Sequence, residues 1–163
     1  MNYSLIKPGD IMLCSGNGVI SDVIRAYTHS KYSHVGIFVN LENRWCVYES
    51  REPNGVRLVQ ADFYSTYDGE VWAARVKGYD DVAMRNTLLS MMFGRLGAAY
   101  DLREIHKLIW RHVVNDTDKN KFICSVLVYE AFRDLGIPLA DHDLVSPDDI
   151  AKSPLLVDFR QLK

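Results

Sequence analysis

Strand-like and helix-like patterning in this chain fall into two blocks rather than alternating. Residues 8 to 76 carry short apolar runs separated by turns, and residues 80 to 151 carry apolar side chains at helical spacing. Alternating strands and helices would predict a parallel sheet with crossover helices. Segregated blocks predict an α+β fold, an antiparallel sheet packed by helices. One domain is expected over residues 1–163, since a chain of that length buries roughly 70% of the surface its unfolded form would expose.

In the strand block, Pro8-Gly9-Asp10 reads as a turn into a short strand, Ile11 to Cys14, which Ser15-Gly16-Asn17-Gly18 breaks. Residues 19 to 27 fit a short helix with Ile20, Val23 and Ile24 on one side. Residues 34 to 39 and 44 to 50 read as a hairpin with a loop at 40–43. Pro53-Asn54-Gly55 is a second turn, and strands follow at 56–59 and 71–76. In the helix block, the spacing predicts helices over 80–92, 101–114 and 123–135. Gly94 and Gly97 end the first, while Gly136 and Pro138 stop the third. Ser146-Pro147-Asp148-Asp149 begins a last short helix, with Ser as N-cap and Pro at the first position, and residues 155–159 form a closing strand.

Apolar residues make up 48% of the chain and charged residues 25%, so the chain is neither disordered nor fibrous. The net charge is -2, with both signs mixed along the chain, which excludes the basic stripe of a nucleic-acid binder. The first ten residues lack a basic start followed by an apolar run, and no apolar stretch approaches the ~20 residues that cross a bilayer. The expectation is therefore no signal peptide, no transmembrane segment and, by default, a cytoplasmic protein of open oligomeric state. Three cysteines, Cys14, Cys46 and Cys124, are widely spaced without a C-x-x-C, so neither a disulfide framework nor a zinc knuckle is expected. Cys14 and Cys46 read as small buried residues. His106 and His112 are six apart on one helix and do not share a face, and no phosphate-binding loop is present. No metal and no cofactor are expected. His29 and His142 read as surface or loop histidines.

The remaining cysteine is different. Cys124 stands where the third helix begins, and unpaired N–H groups and the helix dipole at such an end favour a thiolate. His34 starts a strand. With residues 40–43 as the hairpin loop, Val39 faces Arg44 and His34 faces Glu49. Directly facing side chains have Cβ atoms only ~5 Å apart, so the carboxylate would fix the tautomer of the imidazole and stabilise its charged form. Gly36, on the face of His34, would leave room for a helix end carrying Cys124. The roles that follow are Cys124 as nucleophile, His34 as general base and acid, and Glu49 as orienter. The Cys124 N–H and the Tyr32 side chain are candidate oxyanion donors.

Pro8-Gly9-Asp10-Ile11, Tyr32-Ser33-His34-Val35-Gly36-Ile37, Tyr48-Glu49-Ser50, Tyr100-Asp101 and Phe122-Ile123-Cys124-Ser125-Val126-Leu127-Val128 occur in that order. Over roughly residues 8 to 150 the chain resembles the circularly permuted NlpC-like cysteine hydrolases, the YiiX-like branch, related to the lecithin:retinol acyltransferase group. The resemblance implies a permuted papain-like domain: an antiparallel sheet or half-barrel packed by helices, the His strand preceding the Cys helix. It places the family's cysteine, histidine and third polar residue on Cys124, His34 and Glu49. Relatives often carry Cys-Ser-Glu-Leu at the nucleophile, where this chain has Val126 in place of the acid. The activity implied is cleavage of an amide in a peptide or muropeptide through a thioester. A lipid acyltransferase or thioesterase with the same triad is the alternative, with Met91-Met92-Phe93 or Leu108-Ile109-Trp110 as apolar contacts. The third reading is an inactive relative used as a binding module.

Overall fold

The computed structural model describes residues 1–16, 30–100, 121–143 and 145–163. The helices expected over 19–27 and 101–114, and with them His29, His106 and His112, lie outside the described residues.

The strand block forms one antiparallel sheet. Its strands are β1 (Ile11–Gly16), β2 (His34–Leu41), β3 (Arg44–Arg51), β4 (Gly55–Gln60) and β5 (Gly69–Val76). Two-residue strands β6 (Ala99–Tyr100) and β7 (Lys121–Phe122) pair in parallel, and β8 (Leu156–Gln161) closes the chain. The large sheet has the order β4-β3-β2-β1-β5-β8. The helices among the described residues are α1 (Asp81–Arg95), α2 (Cys124–Asp134) and α3 (Pro147–Ala151). The α+β expectation therefore holds.

Both faces of the sheet are buried, which is why Ile11 to Cys14 is a continuous apolar run rather than an alternating one. On one face Ile11, Leu13, Val35, Ile37 and Tyr48 pack against Leu88 and Met92 of α1 and Leu127, Val128 and Phe132 of α2. On the other, Met12, Phe38, Val47 and Val71 are covered by Ile6, by Leu162 and by Ala61 and Tyr64 of a 3-10 turn at Ala61–Ser65.

Helix ends follow the sequence signals closely, with one exception. Asp80 caps α1 by accepting from the Val82 N–H, and Ser146 and Asp149 form a reciprocal capping box on α3. At the end of α2 the Gly136 N–H donates to Arg133 and the Ile137 N–H to Phe132, the Schellman arrangement, with Gly136 at φ +79. Gly94 does not end α1, which runs to Arg95. A glycine inside a helix costs only about 1 kcal/mol, and the capped, core-packed helix tolerates it.

The turn at Pro8-Gly9-Asp10 is structural. Asp10, 2% exposed, accepts from Arg75 Nε at 3.0 Å and Nη2 at 3.1 Å. Gly9 sits at φ +85, and a Cβ there would lie 2.2 Å from the Tyr79 ring. That ring in turn meets Phe132 of α2 edge-on at 5.9 Å. Gly9→Ala is expected to lower stability by about 2 kcal/mol, through strain and displacement of Tyr79. A denaturant midpoint equal to that of the wild type would refute this.

Candidate active site

The β2–β3 hairpin turns on two residues, not four. Glu42 and Asn43 have φ 49 and 64, the left-handed pair that matches strand twist in tight hairpins. The observed ladder pairs Leu41 with Arg44 and Ile37 with Tyr48, two residues away from the expected register. Glu49 therefore falls diagonal to His34 rather than opposite it. The shift is even, so both side chains keep the same face, and the contact survives: His34 Nε2 lies 2.6 Å from Glu49 Oε2.

The role expected of Gly36 is corrected. A Cβ at Gly36 would meet Val47 Cγ1 at 2.7 Å and Met12 Cε at 3.4 Å, so core side chains fill that room. Helix α2 packs on the opposite face, with Val35 and Ile37. His34 is the first residue of β2, at the end of the sheet, and its ring joins a thiol on the helix face to a carboxylate on the other face.

Cys124 is the first residue of α2, and Ile123 before it supplies no side-chain cap. The first-turn N–H groups are thus left for another acceptor. The Ser125 N–H and the Val35 N–H of β2 lie near the Cys124 sulfur and favour its charged form. Ser125 Oγ, itself buried, donates to the Val145 carbonyl at 2.5 Å and ties this turn to the segment before α3.

The electrostatics favour a thiolate–imidazolium pair. Burial opposes ionisation of Cys124, but the charge and hydrogen bond of His34, together with the two N–H donors, outweigh it and hold the thiol below its ordinary value. Burial likewise disfavours imidazolium, yet the Cys124 charge and hydrogen bond, with Glu49 behind, raise His34 to about 9. Glu49 is fully buried; desolvation works against its charge, and His34, Tyr64 and Arg57 bring it down to about 2. With Nε2 held by Glu49, Nδ1 is the ring nitrogen left for the thiol.

Two residues of this cluster escaped the sequence reading. Arg57 donates to Glu49 Oε1 from Nε at 2.8 Å and from Nη2 at 2.6 Å. Tyr64 donates its hydroxyl to Oε2. Arg57 stands directly opposite Glu49 across β3 and β4, so the turn at residues 53–55 was the signal that could have found it.

The other cysteines differ from Cys124. Cys14 is fully buried, as expected, and its thiol is pushed well up by burial and by Glu49. Cys46 is partly exposed rather than buried, since it faces the edge of the helix layer. Tyr32 is buried in the cluster that contains Cys124, and its hydroxyl contacts Lys31. Exposed His142 pairs with Asp141 at 2.7 Å and faces Asp149 at 3.5 Å, in the segment leading to α3.

The comparisons agree with this fold. The family model of the permuted papain-like amidases, YaeF/YiiX, C92 family, matches residues 5–155. No curated protein matches the chain by sequence. A solved structure, described as metalloprotein yiiX from Escherichia coli O157:H7, superposes with a TM-score of 0.76. It shares 20% identity, over 96% of each chain, and so speaks for the fold. A thiol at a helix start, an imidazole at a strand start earlier in the chain and a match over nearly the whole length identify the chain as a member of the C92 family of permuted papain-like amidases, cysteine hydrolases by class.

Proposed function

We propose that the protein cleaves an amide bond through a thioester on Cys124, with His34 as acid and base and Glu49 as orienter. The observation that carries this is the Cys124 thiol interacting with the His34 ring, whose Nε2 lies 2.6 Å from the Glu49 carboxylate. The thiolate attacks the amide carbonyl carbon. First-turn N–H groups of α2 offer stabilisation to the oxyanion. His34 passes its proton to the leaving amine as the C–N bond breaks, leaving the thioester. Water then gives a proton to His34 and its oxygen to the carbonyl, and the acid departs with Cys124 regenerated.

The substrate in this reading is a peptide or a peptidoglycan-type fragment, by family analogy alone. Acyl transfer to or from a lipid is less supported: Met92 is core, and only Phe93 of the Met91-Met92-Phe93 segment is well exposed. Leu108-Ile109-Trp110 lies outside the described residues. The contact between Cys124 and His34 favours an enzyme over an inactive binding module. The bacterial relative is described as a metalloprotein. Among the described residues of this chain no three His, Cys, Asp or Glu side chains converge as ion ligands. The reading includes a reducing compartment, in which three free cysteines persist. Among the described residues no helix is long and apolar enough to cross a membrane.

Iodoacetamide at neutral pH tests the reading. Wild type is expected to alkylate at Cys124, Cys124→Ala to lose that label, and His34→Ala to react at least about tenfold more slowly. Equal rates in wild type and His34→Ala, or label mainly on Cys14 or Cys46, would sink it.

A further inference from the structure

Glu49 has more partners than an orienting carboxylate requires. Its side chain is fully buried, and its oxygens are divided: Oε1 accepts two N–H groups of Arg57, and Oε2 accepts the Tyr64 hydroxyl while facing His34. Arg57 on Oε1 and the Tyr64 hydroxyl on Oε2 together oppose rotation of the carboxylate, because both of its oxygens are held. Arg57 is placed by the β3–β4 ladder, directly across from Glu49. Tyr64 is placed by the 3-10 turn after β4, and Arg51 Nη1 approaches its hydroxyl at 3.5 Å. The Phe63 ring lies near both guanidinium groups, 5.9 Å from Arg51 and 5.4 Å from Arg57.

We propose that Arg57 and Tyr64 are positioning residues of the reaction, holding Glu49 ionised and oriented so that one oxygen stays on His34 while the ring moves its proton. This rests on the reading of Cys124, His34 and Glu49 given above. Every charge that faces Glu49 is consistent with it. His34, Arg57 and Arg51 are cationic partners on β2, β4 and β3. The neighbours that would oppose the carboxylate if ionised are Cys14, Tyr64 and Tyr67, and burial keeps all three neutral. Glu49 is thereby held ionised beside His34, and the imidazolium keeps its counter-ion.

The test is the pH dependence of Cys124 alkylation by iodoacetamide in the full chain, for wild type, Arg57→Met, Arg57→Lys and Tyr64→Phe, each with a thermal melt. Without the fork, Glu49 takes up a proton nearer its ordinary range, and a neutral Glu49 no longer supports the imidazolium. The acid limb of the Arg57→Met profile is expected to move up by about one pH unit. Tyr64→Phe moves it in the same direction by less, and Arg57→Lys, which keeps a cation beside Oε1, recovers at least half of the shift. A residue with only a structural role would lower the melting temperature and leave the limb in place. A folded Arg57→Met with the wild-type limb overturns the proposal. If Arg57→Met does not fold, an unmoved limb in Tyr64→Phe overturns it. Failure of the parent reading is distinguishable, because it shows in the wild type and His34→Ala labelling rates themselves.

Discussion

Cys124→Ala and His34→Ala, made singly, are each expected to lower kcat/KM for the cognate amide by about 10⁴-fold or more, and the double variant to lose little beyond the worse single. The reason lies in how the two groups are coupled. The Cys124 thiol is held low and the His34 ring is raised to about 9 by the same contact, so neither is in its reactive state without the other. Removing His34 leaves a thiol whose burial now works unopposed against ionisation, with only the Val35 and Ser125 N–H groups in its favour. Removing Cys124 leaves a base with nothing to activate. Kinetics on a panel of peptide, muropeptide and acyl-ester substrates check this, and also separate amidase from acyl-transfer chemistry. Additive losses, the double falling by the product of the singles, would mean that the two residues act independently.

How much of this site was legible depended on what ties each residue to the chain's periodicity. Cys124 was legible because helical apolar spacing begins at residue 123, right after a polar run in the sequence, and α2 does start there, at Cys124. The Glu49 pairing survived a wrong loop length because the error was two residues, and an even slip preserves the face of every side chain. A three-residue loop would have sent the carboxylate to the helix face. Arg57 was legible in principle, since the second turn sets its position across from Glu49. Tyr64 was not: it comes from a 3-10 turn after β4, and no period or register connects such a turn to the strand it covers. The cover on the second face of the sheet was hidden for the same reason. Ile6 and Leu162 lie at opposite ends of the chain, and nothing local predicts that they meet over Met12 and Phe38.

The largest stability effect is expected at Glu49. Its pKa falls from 4.5 to about 2 on folding, and the group has no exposed surface, so the shift is not discounted for solvent. By linkage the ionised carboxylate contributes about 3 kcal/mol to stability at pH 7. That contribution is complete above pH 4.5 and is lost as pH falls through about 2, the direction for a depressed acid. His34 runs the other way: raised to about 9, its share is complete below pH 6.5 and lost as pH rises through 9. Glu49→Gln keeps the shape and removes the charge. It is expected to unfold about 3 kcal/mol more easily at pH 7, with Arg57 and His34 left facing a neutral amide. Its stability should also fall less steeply between pH 4.5 and 2, where the remaining slope comes from acids such as Asp149, which Ser146 and His142 hold low against burial. Urea titrations of both proteins across pH 2 to 9 measure this. Parallel curves, offset or not, would show that Glu49 titrates alike in the folded and unfolded protein, and its partners would then not be what holds the counter-ion of the imidazole ionised.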